Sequence, residues 1–159
     1  MPHHLTFELA DEAATLALGA ALAPGIAPGR VVFLSGELGA GKTTLARGLL
    51  HALGHTGRVK SPTYTLLELY SLSRLNLYHF DFYRFRDRSE WSNSGFREHF
   101  NPDSACLVEW PEKAQDLLTA PDLWIRLAYA GEARNARLTS HSAGGAAWLQ
   151  TLAAPSPAS

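Results

Sequence analysis

At 159 residues the chain is one domain's worth, long enough to bury a real core, and its 46% hydrophobic and 18% charged content excludes a disordered protein. A net charge of −1 argues against a strong autonomous grip on nucleic acid. The single cysteine, Cys106, excludes an internal disulfide and fits a reducing, cytoplasmic compartment.

In chain order, Leu5 to Leu9 reads as a short strand, and Asp11 caps a helix running to about Ala23. Ala13 to Ala27 resembles a signal-peptide core, but Asp11 and Glu12 precede it in place of a basic leader, and it is too short to span a bilayer. Pro24, Gly25, Pro28 and Gly29 break the chain before the apolar strand Val31-Val32-Phe33-Leu34. Directly after it, Gly36-Glu37-Leu38-Gly39-Ala40-Gly41-Lys42-Thr43 matches G-x-x-x-x-G-K-[ST]. A helix from Thr44 to Leu53 follows, with Leu45, Leu49 and Leu53 on one face and Gly54 as its stop. Strand, Gly-rich turn and helix are the context a phosphate loop requires. Backbone N–H groups turn inward on the anion, and the helix aims its positive end at the same point.

A polar connection from His55 to Pro62 leads to two β-rich segments, Tyr64 to Tyr70 and Asn76 to Tyr83. Arg84 to Pro102 reads as irregular, with one short helix near Gly95 to His99. Ala105 to Val108 is a fully apolar run ending at Glu109, the signature of a buried central strand, and Cys106 within it reads as a small buried hydrophobe. Pro111 starts a helix through Leu118. Strands Leu123 to Tyr129 and Ala136 to Ser140 join across Gly131, and Gly145 to Leu152 forms a final helix before a disordered tail, residues 153–159. Residues 1–152 therefore form a single α/β domain of the P-loop NTPase kind, a mostly parallel or mixed sheet flanked by helices.

Lys42 is placed to reach the β- and γ-phosphates of a nucleotide, and the Thr43 hydroxyl to coordinate Mg²⁺. Mg²⁺ favours octahedral oxygen ligation with retained waters, so a second acid is needed. Asp81 and Glu109 both end strands, and spacing alone does not rank them. Ser61-Pro62-Thr63-Tyr64-Thr65 lies where P-loop switches supply a hydroxyl near the γ-phosphate, and it is equally a structural turn. His79 reads as a packed strand residue, Trp110 as a core aromatic, and Arg84 as either an ion partner of Asp81 or a finger residue.

Four segments occur in order: Gly36 to Thr44, Ser61-Pro62-Thr63-Tyr64-Thr65-Leu66, His79-Phe80-Asp81-Phe82-Tyr83-Arg84 and Val108-Glu109-Trp110-Pro111-Glu112. Together they resemble the bacterial TsaE (YjeE) family over roughly Asp11 to Arg137. The resemblance implies an ATPase subunit of the machinery that installs N6-threonylcarbamoyl on adenosine at position 37 of tRNA. Its partners would be ATP, the other protein subunits, and tRNA only indirectly, with no membrane. It implies that Gly39, Ala40, Gly41, Lys42, Thr43 and Thr44 bind the ATP phosphates, and that Thr43 and Glu109 hold Mg²⁺. Asp81 becomes the acidic partner of the metal or its waters, with Lys42, Asp81 and Glu109 as the catalytic set. Ser61, Thr63 and Thr65 fall in the family's first switch, Glu109-Trp110 in its mobile second acidic element, and Glu12 and Arg134 near the nucleotide base. The segment Phe85 to Trp91 departs from the family pattern.

Two other classes share these features. A small-molecule kinase would use Arg84 to Arg88 as a lid, and a nucleotide-gated binding module would hydrolyse ATP negligibly. A GTPase lacks its N-K-x-D element here.

Overall fold

The computed structural model describes residues 3–59, 62, 66–86 and 88–153. The expected switch hydroxyls of Ser61, Thr63 and Thr65, and the tail beyond residue 153, lie outside the described residues.

The first strand, β1 (His4–Leu9), leads into α1 (Glu12–Leu22), where Asp11 Oδ1 accepts the Ala14 N–H at 2.9 Å as an N-cap. Thr15, Leu18, Gly19 and Leu22 recur at helical spacing and form the buried stripe of α1. The apolar run becomes β2 (Val31–Ser35), and α2 (Lys42–Ala52) follows the Gly-rich turn. At its far end, His55 N–H donates to Leu50 O at 3.0 Å and Gly54 N–H to His51 O at 3.1 Å, the paired bonds of a Schellman stop. Next come β3 (Leu67–Ser71), β4 (Asn76–Asp81), α3 (Arg88–Ser94) and β5 (Ser104–Glu109). The hairpin β6 (Leu123–Ala130) and β7 (Ala133–Ser140) precedes α4 (Ala143–Ala153).

Among the described residues the strands form one seven-stranded sheet in the order β1-β7-β6-β2-β5-β4-β3. Its centre, β6-β2-β5-β4, is parallel; β3, β7 and β1 add antiparallel flanks. Alternation along the strands divides the core in two. Val32, Leu34, Leu77, Ala105 and Leu107 face α1 and α2, while Val31, Phe33, Phe80, Cys106 and Val108 face an aromatic layer of Phe82, Phe85, Trp91 and Phe96. No described helix is long and apolar enough to cross a membrane.

Several expectations change. The helix expected from Pro111 to Leu118 is instead two 3-10 turns, Pro111–Lys113 and Gln115–Leu117. Ala114 leaves helical geometry between them (φ −136°), with Leu117 and Leu118 packed on the aromatic layer. The short helix expected near Gly95 to His99 is present as the 3-10 turn Phe96–His99, but the rest of the stretch read as irregular also contains α3, because burial of Trp91 outweighs a weak helical pattern. β4 stops at Asp81, two residues before the expected end, where the Tyr83 N–H turns back to Asp81 Oδ1 at 2.9 Å. The loop helix begins at Lys42 rather than Thr44, and the final helix extends through Ala153.

Candidate functional site

Parallel pairing sets the level of the strand ends. In register, Leu34 lies opposite Glu109 and Glu109 opposite Asp81, so β2, β5 and β4 end together at the carboxyl edge of the sheet. In open α/β sheets that edge is where ligands bind. The Gly-rich turn leaves β2 at this edge, and α2 starts from it. Gly41 has φ +107°, a conformation costly for a side-chain-bearing residue, and it turns the chain into the first helical turn.

A cavity of about 520 Å³ opens here, lined by Gly39, Gly41, Lys42, Thr43, Thr44, Asp81, Tyr83, Arg84, Glu109 and Trp110, with Leu38 at its rim. A second, of about 210 Å³, adjoins it across Gly39, Gly41 and Thr44, and adds Leu9, Asp11, Glu12, Thr15, Ala40, Glu132 and Arg134. Of the described residues expected around phosphate and metal, all but Ala40 thus line the first, and Glu12 and Arg134, expected near a base, line the second with Ala40.

Lys42 is buried, and its ammonium donates to Gly36 O and, at 2.9 Å, to Glu37 O. It also lies 4.7 Å from the centroid of the Trp110 ring. Burial lowers its pKa, against the opposing pull of Glu109, Asp81 and Glu112. Asp81 and Glu109 are 3% and 2% exposed, which makes them interior carboxylates facing a cavity, unlike surface acids. Glu109 Oε2 is 2.6 Å from His79 Nε2, and His79 itself is fully buried. Trp110 is in the left-handed region (φ 56°, ψ 48°), which costs about 1–2 kcal/mol for a residue with a side chain. Its ring is half-buried against Tyr83, centroids 5.0 Å apart.

In the second cavity, Glu12 accepts from Arg47 at 2.7 Å. Arg134 stacks 4.2 Å from the Tyr129 ring centroid and donates to Gly39 O at 3.4 Å, tying β7 to the Gly-rich turn. No group of three or more His, Cys, Asp or Glu side chains among the described residues could hold a metal ion. An ion at this edge would therefore draw its remaining oxygens from Thr43, a phosphate or water, as Mg²⁺ commonly does.

Sequence reasoning passed over Tyr83, Glu132, Thr15 and the His79–Glu109 bond. The last had a signal: His79 stands two residues before Asp81 on one strand, hence on the same face. Glu132 had none, because only the β6–β7 pairing carries it to the loop.

A mixed sheet with a parallel centre, whose Gly-rich turn opens onto adjoining cavities at the strand ends, defines an α/β protein with a candidate ligand site at the carboxyl edge of its sheet. Within that class the chain belongs to the TsaE family. The family described as "Threonylcarbamoyl adenosine biosynthesis protein TsaE" matches residues 9–138. The tRNA threonylcarbamoyladenosine biosynthesis protein TsaE of Haemophilus influenzae is 49% identical over 112 residues, covering 70% of this chain and 71% of that protein. Its Bacillus subtilis namesake is 43% identical over 105 residues, 66% of this chain and 65% of that protein. The crystal structure of Bacillus subtilis YdiB superposes with a TM-score of 0.80 at 30% identity and 96% coverage of both chains.

Proposed function

We propose that this chain binds ATP with Mg²⁺ and hydrolyses it in support of a multi-subunit complex that installs N6-threonylcarbamoyl on adenosine 37 of tRNA. The carrying observation is the adjoining pair of cavities that share Gly39, Gly41 and Thr44, one lined by Lys42 and two buried carboxylates. Their sizes suit a nucleotide bent across the loop. The tRNA role comes from the names of the Haemophilus influenzae and Bacillus subtilis relatives.

Lys42 would exchange the Gly36 and Glu37 carbonyls for phosphate oxygens, and the first N–H groups of α2 would hold the same anion. Thr43 with Glu109 or Asp81 would hold Mg²⁺, which when bound neutralises charge on the β- and γ-phosphates. The carboxylate not engaged by the metal would accept a hydrogen bond from the attacking water and fix its direction. Glu12 and Arg134 would bracket the base.

Lys42→Ala tests the reading. Binding of a fluorescent ATP analogue should weaken at least tenfold, and phosphate release should fall to background. Unchanged affinity and turnover would overturn it. A nucleotide-gated binding module remains a second reading, favoured by one observation: the Lys42 ammonium is held by the loop's own carbonyls beside Trp110. Single-turnover hydrolysis with and without partner proteins separates the two.

A further inference from the structure

On β4 and β5 the positions Leu77, His79, Asp81 and Ala105, Leu107, Glu109 share the sheet face turned toward α1 and α2, since Leu77, Ala105 and Leu107 pack in the same core as Leu45 and Leu49. In register His79 lies opposite Leu107, so His79 and Glu109 are diagonal neighbours, within reach for long side chains. Their separation of 2.6 Å between Nε2 and Oε2 is short even for a hydrogen bond to an ionised group. Neither residue is more than 2% exposed, so water does not compete for the bond. His79 Nδ1 has no hydrogen-bond partner among the described residues, which leaves the Glu109 carboxylate as the imidazole's single polar anchor there.

Glu109 also lines the larger cavity with Lys42 and Thr43. A glutamate has three torsions, and an untethered carboxylate would sample several directions. We infer that the Nε2–H of His79 donates to Glu109 Oε2 and so positions the Glu109 carboxylate toward the cavity, making His79 a positioning residue for the metal- or water-holding acid. The inference rests on the nucleotide reading above. Such outer partners of ligating groups typically contribute 10–100-fold.

The test combines His79→Leu, which removes the donor, with His79→Gln, which keeps an N–H, each in wild-type and Glu109→Gln backgrounds. In the ligand-free protein, NMR should find a solvent-protected His79 Nε2–H resonance far downfield, moving upfield in Glu109→Gln. His79→Leu should lower single-turnover hydrolysis about 10–100-fold, with nucleotide affinity measured without Mg²⁺ held within about twofold. His79→Gln should recover part of the rate. Added to Glu109→Gln, His79→Leu should cost nothing further, because both act through one group. Additive losses, or wild-type hydrolysis in His79→Leu when Glu109→Gln is impaired, overturn the inference and leave the ATPase reading standing. Wild-type hydrolysis in Glu109→Gln removes the role of Glu109 in the ATPase reading and this inference with it. Should His79→Leu fail to fold, the NMR comparison decides: absence of the protected, Glu109-dependent resonance overturns the bond itself.

Discussion

Helices α1 and α2 touch through two glycines, and their packing sets where the Gly-rich turn sits. A Cβ added to Gly48 would lie 2.3 Å from Leu16 O and 3.0 Å from Leu16 C and Cα; one at Gly19 would lie 2.2 Å from Leu45 O. Ordinary contact begins at 3.4 Å, so Gly48→Ala forces the helices apart by about 1 Å or distorts one of them. Helix propensity acts the other way: alanine is favoured over glycine by about 1 kcal/mol in a helix interior. Overpacking costs about 1–3 kcal/mol, and here the obstacle is backbone that cannot swing aside, which places the cost at the upper end. The net expectation is a loss of about 1–2 kcal/mol, or about 2–8 °C in melting temperature for a chain of this size. Calorimetry checks it beside Gly144→Ala, whose methyl meets first the guanidinium of Arg30, a movable side chain, so that this variant should melt closer to wild type than Gly48→Ala does. Displacing α1 also moves Glu12 and Thr15, which line the smaller cavity, so nucleotide affinity should weaken along with stability. A Gly48→Ala protein that melts higher than wild type, as propensity alone requires, would refute the packing argument.

Other consequences follow from single contacts. Ser35 Oγ accepts the Trp124 indole N–H at 2.8 Å and donates to Glu112 at 3.0 Å; Ser35→Ala strands a buried donor and should cost about 1–3 kcal/mol in denaturant unfolding. Burial pushes the Cys106 thiol from 9.0 up to about 12, so the native state holds its proton while the unfolded chain loses it. Above pH 9, wild type should therefore lose stability relative to Cys106→Ala by about 1.4 kcal/mol per pH unit, and native alkylation at pH 8 should proceed only as fast as unfolding. Lys42 has the opposite sign. Its lowered pKa means the unfolded chain binds the extra proton, so wild type should gain on Lys42→Met as pH rises toward 10.5 in paired melts. Nucleotide should shift tryptophan emission through the ring beside Lys42, and Trp110→Phe should abolish the shift.

Local chemistry was readable wherever neighbours in sequence are neighbours in space. Glycine spacing, the apolar run at Val31 to Leu34 and the leucines of α2 placed strand, turn and helix, because strand and helix periods are properties of the chain itself. The same logic missed where tertiary burial overrides local preference. Trp91 draws a weakly patterned stretch into the helix α3 against Phe82, and the left-handed Trp110 with the break at Ala114 turns an expected helix into 3-10 turns.

By itself the sequence determined an α/β domain with a Gly-rich turn between strand and helix and two acids at strand ends, because a Gly-x-x-x-x-Gly-Lys-Thr run after an apolar strand constrains its own backbone. Only the tertiary structure decided that Asp81 and Glu109 stand side by side, that His79 holds Glu109, and that Glu132 and Arg134 reach the turn. Those relations depend on strand order and register. Both are set by burial of side chains far apart in the chain, and no local pattern encodes them.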